Sequence, residues 1–307
     1  MATLTINCRF PGDGRLGRND GEPLVLRMHD KCHSSSKDKL TVEHLDLVHR
    51  TGHRRFWVLR GVVTGPLDSV DSILKLDMTG ASHCDDLLKE AEVYIGKARS
   101  LQGDYLPQFY GCFQAEVNLT TVTCLALEYC GEPVSQSLRD MNRGFKQELI
   151  YAVLALHAKG MTHGDLQHSN ILVYPDGGED HPVLIDFDLA DTSHICAINF
   201  KIVSGAVGPE VEEYGCEEMH ELIYWLGYWR LPTIGFGSTL FRKDEINDLD
   251  DLIDVLPSYL DDERRQELVE QAALLLEEIL RERRLTYGTE TISQGQRRLD
   301  YLEPKAA

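Results

Sequence analysis

The 307-residue chain is 42% hydrophobic and 26% charged, an ordinary globular composition with room for one large domain or two lobes around a cleft. Its 50 acidic against 31 basic residues give a formal net charge of -19, which argues against nucleic acid or an anionic membrane as partner and admits an anionic ligand only where local donors or a metal ion overcome the field. The opening MATLTINCRF lacks the pattern of a secretory signal, and no run of about 18 apolar residues is present to span a bilayer.

In chain order, Leu4 to Phe10 and Leu24 to Met28 read as strands of a β-rich extension, residues 1–39. They flank PGDGRLGRNDG, whose Gly12-x-Gly14-x-x-Gly17 opens no helix and reads as a turn rather than a phosphate cradle. LTVEHLDLVHR and RRFWVLRGVV follow as paired strands, and Ser72 to Met78 as another. Ser82, with Asp85 three residues later, opens a helix whose apolar positions Leu87, Ala91, Tyr94, Ala98 and Leu101 define one buried face, with Gln102-Gly103 ending it. YLPQFYGCFQ and TVTCLALEYCG are further strand candidates. After Gly131-Glu132-Pro133 the texture turns helical: Phe145, Leu149, Val153 and Leu156 share a stripe closed by Gly160. ILVYP and VLIDFD read as strands, and the chain from Glu217 to the tail at Tyr287 as helices, most clearly Asp261 to Arg284.

The eight cysteines fall singly, without a Cys-x-x-Cys pair, as reduced and mostly core thiols do in a cytosolic or nuclear, not secreted, protein. Cys216 and His220 are four apart without further ligands and are not read as a zinc site. The sequon at Asn118 carries no meaning in such a chain.

Some polar residues stand where packing prefers apolar ones. Lys75 interrupts a strand among Ile73, Leu74, Leu76 and Met78, although alone it reads as an outward lysine of an edge strand. Glu90 lies beside the apolar stripe of the following helix, whereas Glu92 points away; alone, Glu90 is a helix-surface charge. Asp165 and Asn170, five apart (170 − 165), occupy the loop THGDLQHSNILV between a helix end and a strand. Asp186 comes sixteen residues later (186 − 170), directly after Val183-Leu184-Ile185, where a carboxylate is costly unless it meets a cation.

Taken in order, these residues resemble the protein-kinase-like superfamily, in a divergent branch similar to fungal kinase-like proteins with a histidine-glycine-aspartate loop. His163 to Asn170 resembles HRDLxxxN, Asp186-Phe187-Asp188 resembles DFG, and Ile73-Leu74-Lys75 resembles the strand that supplies the nucleotide-anchoring lysine. Glu128-Tyr129-Cys130 resembles a hinge after a gatekeeper at Leu127, and Gly208-Pro209-Glu210 resembles Ala-Pro-Glu; the match runs from about Leu40 to Leu240.

The resemblance implies an α+β, bilobal protein-kinase-like fold, with residues 40–131 a strand-rich N-lobe carrying one helix, 132–286 a mainly helical C-lobe and 287–307 a tail. It implies that Lys75, oriented by Glu90, grips the α/β-phosphates of ATP, and that Asn170 and Asp186 hold Mg²⁺. Asp165 would take the proton of the acceptor hydroxyl, with Asn170 beside it in the catalytic loop, and hinge backbone at Glu128 and Cys130 would meet the adenine.

Four departures stand against the pattern. The turn HRTGHRR has one glycine, Gly52, in place of a glycine-rich clamp, leaving His53 or Arg54 to cover phosphate. Gly164 replaces the HRD arginine, Gln167 a lysine that helps neutralise the γ-phosphate, and Asp188 the DFG glycine. Thr192, Ser193 and Ser204 are the few hydroxyls between Asp186 and Glu210, and none marks a phosphosite. The expected activity is Mg-ATP-dependent phosphoryl transfer to a hydroxyl of an unidentified protein or small molecule, with a serine/threonine protein kinase the first form. The alternatives are a pseudokinase scaffold and a small-molecule kinase resembling aminoglycoside and choline phosphotransferases.

Overall fold

In the computed structural model, residues 2–6, 23–30, 32, 39–50, 56–65, 69–77, 84–117, 119–176, 179–198, 202, 204–230, 232–243 and 245–290 are described. The Gly12–Gly17 pattern, the turn at Gly52, Ser82, Asn118 and residues 291–307 lie outside them. The chain divides into two compact units, Met1–Cys196 and Ala197–Ala307.

Alternation of apolar and polar residues builds the first unit's sheet. Strands β1 (Thr3–Ile6), β2 (Leu24–Met28), β3 (Lys39–Arg50), β4 (Phe56–Thr64), β5 (Ser69–Asp77), β6 (Phe109–Val117) and β7 (Thr120–Glu128) close into a barrel in the order β1-β2-β6-β7-β5-β4-β3. Period-two geometry sends alternate side chains inward, and Leu4, Ile6, Leu26, Leu59, Leu74 and Phe113 are fully enclosed there. Residues 1–39 thus contribute two staves. β1 runs parallel to β3 and antiparallel to β2, and β2 pairs with β6, so neither β3 nor β6 is left with an open edge.

Between β5 and β6 lies helix α1 (Cys84–Ile95), which buries Leu87, Ala91 and Tyr94. The periodicity predicts one helix to Leu101, but the chain leaves α-helix at Gly96 (φ −94°, ψ −117°) and continues as a 3₁₀ turn over Lys97–Leu101. A side chain at Gly96 would place its Cβ 2.8 Å from the Glu92 carbonyl oxygen. Ala98 and Leu101 are nonetheless buried, so the apolar seam outlasts the helix that was inferred from it.

Beyond the barrel come β8 (Glu132–Pro133), helix α2 (Arg143–Ala158), β9 (Ile171–Asp176) and β10 (Glu179–Leu184), with a sheet in the order β10-β9-β8. Asn142 caps α2 by accepting from the Phe145 backbone N–H at 2.9 Å, and Phe145, Leu149, Val153 and Leu156 form its buried stripe as expected.

The second unit holds α3 (Val211–Tyr214), α4 (Glu217–Trp225), β11 (Thr233–Phe236), β12 (Thr239–Arg242), α5 (Asp250–Ile253) and α6 (Asp262–Glu290). The helical reading from Glu217 onward is corrected by the hairpin of β11 and β12, in which Ile234 faces Phe241 and Gly237 turns at φ +61°. Helix α6 lays Ala272 and Ile279 against Phe236, Leu252 and Leu256. No helix among the described residues is long and apolar enough to cross a membrane.

If β2 is a stave of the barrel rather than an appendage, Leu26→Ala destabilises the protein by about 2–5 kcal/mol. Val25→Thr, on the exposed face of the same strand, stays within about 0.5 kcal/mol. Urea unfolding of the two variants checks this difference.

Candidate active site

Strand β5 is hydrogen-bonded to β4 on one side and β7 on the other, so Lys75 stands on an interior strand and the edge-strand alternative fails. Because Leu74 and Leu76 take the barrel interior, Lys75 projects from the opposite face. There its Nζ donates to Glu90 Oε2 at 2.7 Å and to Asp186 Oδ1 at 2.6 Å.

Glu90 is one helical turn from Leu87 and Tyr94 and shares their burial at 1% exposure, so it is no surface charge. Burial alone would push the Lys75 ammonium down, but the carboxylates of Glu90 and Asp186 outweigh it and hold that group above its ordinary value. Burial also pushes Glu90 up; the ammonium pulls it back only in part, and Asp186 and Asp188 add to the rise.

Asp186 itself has φ +68°, a left-handed conformation uncommon outside glycine, just after the last strand of the small sheet. The residue before it is fixed twice: the Ile185 backbone N–H donates to Asn170 O at 3.1 Å, and the Ile185 carbonyl lies 2.9 Å from His163 Nε2. A carbonyl only accepts, and His163 Nδ1 accepts from the Asp165 N–H at 3.3 Å, so the His163 proton resides on Nε2. His163 is fully buried and packs on Phe187, with ring centroids 4.7 Å apart. Phe187 meets Tyr94 edge-on at 5.6 Å, and Tyr94 stacks on Phe109 at 5.7 Å.

Asp165 is aimed by two amides: its Oδ2 accepts from Asn170 Nδ2 at 3.0 Å and from Gln167 Nε2 at 2.9 Å. Asn170 Nδ2 also donates to the Asp165 carbonyl at 2.8 Å, which leaves Asn170 Oδ1, the oxygen a hard cation would use, turned away from that contact and accepting from Ser169 Oγ at 3.2 Å. The loop closes through Gly164, at φ +80°, where an added Cβ would lie 2.1 Å from the Leu189 carbonyl oxygen. An arginine therefore cannot occupy that position without moving the segment after Asp188.

The residues expected to form a hinge stand at the end of β7. The Glu128 N–H donates to Gln108 O at 2.9 Å, and its carboxylate accepts from the Gln108 N–H at 3.1 Å. The Tyr129 N–H donates to Asp71 O at 3.1 Å, and Arg60 sits 3.6 Å over the Tyr129 ring. Cys130 is buried with Leu172 and Val183 against Ile185, and burial, then the Glu128 carboxylate, pushes its thiol up to about 12. A hollow of about 540 Å³ beside this hinge is lined by Tyr129, Glu132, Pro133 and Asp180 among others, and not by Lys75, Asp165 or Asp186.

The predicted residues therefore fall into three connected groups: Lys75, Glu90 and Asp186; Asp165 and Asn170; and Glu128 and Cys130. Sequence reasoning set Tyr94 on the buried helix face and His163 and Phe187 within the two motif-like stretches, but it did not foresee that the three rings pack together.

Two expectations follow. Gly164→Ala costs about 1–3 kcal/mol through the left-handed backbone and the Leu189 contact, with Gly164→Arg at least as costly, as urea unfolding would measure. Lys75→Met leaves Glu90 buried without its cation and costs about 3–5 kcal/mol near pH 7.5. Since a carboxylate whose folded pKa is raised loses stability as pH rises above its unfolded value, the gap to the unaltered protein narrows as unfolding is repeated from pH 8 down to pH 5.

No family model matches the chain. A serine/threonine-protein kinase of Arabidopsis thaliana is 28% identical over 198 residues, covering 56% of this chain and 32% of the relative. The Arabidopsis thaliana serine/threonine-protein kinase WAG1 is 29% identical over 169 residues, covering 50% of this chain and 33% of the relative. The chain thus spans about a third of the length of these relatives. A crystal structure of a Stt7 homolog from Micromonas algae, soaked with ATP, is similar at a TM-score of 0.40 and 19% identity, over 56% of this chain and 55% of that one. These curated relatives, together with the ordered set of charged residues, support a likeness of this chain to the protein-kinase-like superfamily.

Proposed function

We propose that the protein is a Mg-ATP-dependent phosphotransferase acting on a hydroxyl, in the manner of a serine/threonine protein kinase. The observation that carries this reading is the part-buried Lys75 ammonium between Glu90 and Asp186, a cation placed where an anionic ligand can be received. A two-lobed organisation, with residues 40–131 and 132–286 as the lobes and 1–39 and 287–307 flanking them, belongs to the same proposal, as does a cytosolic or nuclear location.

Asn170 Oδ1 and the Asp186 carboxylate are the hard-oxygen donors that would hold magnesium, and the donor set fits that ion. Bound magnesium supplies positive charge to the phosphate oxygens during transfer. Lys75 would hold the nucleotide phosphates, with Glu90 keeping the ammonium in place when Asp186 turns to the metal. Backbone groups of Glu128 and Cys130 would meet the adenine edge. Asp165, steered by Asn170 and Gln167, would accept the hydrogen bond of the acceptor hydroxyl and take its proton.

Gln167 favours a second reading. An amide bonded to Asp165 stands where a lysine is expected, which lowers the positive charge near the transferring group and suits a pseudokinase that binds nucleotide without efficient transfer.

Calorimetric titration of ATP with and without Mg²⁺ separates these readings from a plain scaffold: binding requires the metal and is lost in Asp186→Asn. Labelled-phosphate transfer to pooled peptides and small alcohols then tests activity. Asp165→Asn lowers transfer by about 10²–10⁴-fold while nucleotide affinity persists. Binding without transfer by the unaltered protein supports the pseudokinase, and no binding at millimolar ATP sinks both.

A further inference from the structure

Away from Lys75 and Asp165, a second group of side chains in the first unit has the chemistry of a softer cation. His157 lies at the C-terminal end of α2, and His194 and Cys196 lie on the segment that follows Asp188. Cys196 Sγ and His157 Nδ1 are 3.4 Å apart, the two imidazole centroids are 4.5 Å apart, and the ligand atoms of all three residues lie within 4.8 Å of one another. A tetrahedral zinc ion with Zn–S of about 2.3 Å and Zn–N of about 2.0–2.1 Å sets sulfur and nitrogen about 3.5 Å apart. The S···N separation is therefore already that of two ligands on one ion.

The segment is also held in place by bonds that need no ion. The Thr162 N–H donates to Asp191 O at 2.9 Å, Lys97 Nζ donates to Thr192 O at 2.6 Å, and Ser193 bonds back to Asp191 through its N–H at 2.8 Å. His157 is buried while His194 and Cys196 are half-buried, so a cation has both an anchored wall and a way in. Two imidazoles and a thiolate select a borderline-soft cation of the zinc type over magnesium or calcium.

We propose that His157, His194 and Cys196 form a zinc-binding site, separate from the Lys75–Asp186 centre, that pins the segment following Asp186-Phe187-Asp188 to the end of α2. Binding breaks the Cys196 S–H bond, releases that proton to solvent and forms a Zn–S bond, with no change of oxidation state.

The test is titration of the chelator-stripped full chain with Co²⁺ as a spectroscopic probe, followed by competition with Zn²⁺. The unaltered protein is expected to show a thiolate-to-cobalt charge-transfer band that saturates at one equivalent and is displaced by zinc. Cys196→Ser diminishes that band and weakens binding at least tenfold. His194→Gln weakens binding at least tenfold while thiolate character persists. Both substitutions fall at half-buried positions, and unchanged circular dichroism confirms that the variants are folded. Absence of the band in the unaltered protein, or equal cobalt affinity in all three proteins, overturns the proposal and leaves the cluster as a thiol–imidazole hydrogen bond.

Discussion

One part-buried cation links distant elements of the first unit. Lys75 brings an ammonium out of water, and the cost of doing so is offset only because Glu90 and Asp186 both reach it within hydrogen-bond distance. Those three residues come from a barrel strand, the helix after it and the loop after β10, so the pair of contacts fixes three elements that are far apart in sequence. Removing the ammonium strands both carboxylates, whereas without Asp186 the Lys75–Glu90 pair remains. The aromatic file of Phe109, Tyr94, Phe187 and His163 joins α1 and the loop after β10 to β6 and the loop after α2, and supplies the apolar half of the constraint.

The loop from His163 to Asn170 is shaped instead by its backbone contacts. His163 spends one nitrogen on the Ile185 carbonyl and the other on the Asp165 N–H, which ties the loop to the residue preceding Asp186. Gly164 then lets the Leu189 backbone lie against the loop at a distance no side chain would tolerate. Glycine at this position is thus a steric requirement of the loop as it lies against Leu189.

The parts legible in the sequence were those whose spacing is local or whose chemistry is unusual. Asp186 after three aliphatics stood out because burying charge is expensive, whereas Lys75, Glu90, Asp165 and Asn170 each had an ordinary reading alone and stood out only as an ordered set. The closure of the barrel did not, since the parallel pairing of Thr3–Ile6 with Lys39–Val42 is nonlocal and leaves no periodic mark. Gly96 hid a break inside a continuous apolar stripe, because α and 3₁₀ turns can bury the same seam. The hairpin at Thr233–Arg242 was missed because four-residue strands alternate too briefly to stand against a helical background. The His157, His194 and Cys196 cluster was invisible for the same reason as the barrel: its first two members are 37 residues apart (194 − 157).

Charge balance carries the proposed function one step further. Among the described residues, Lys75 pairs with Glu90 and Asp186, with Asp165 on the adjoining loop and Asp188 near enough to raise Glu90 further. The chain as a whole is at -19. A nucleotide triphosphate entering such a field meets more repulsion than one ammonium can offset, and Gln167 withholds the second cation that the family pattern would provide. On the proposed reading, divalent metal is therefore a condition of nucleotide binding and not only of transfer: the carboxylates that repel the phosphates are the groups that recruit the ion which makes them acceptable.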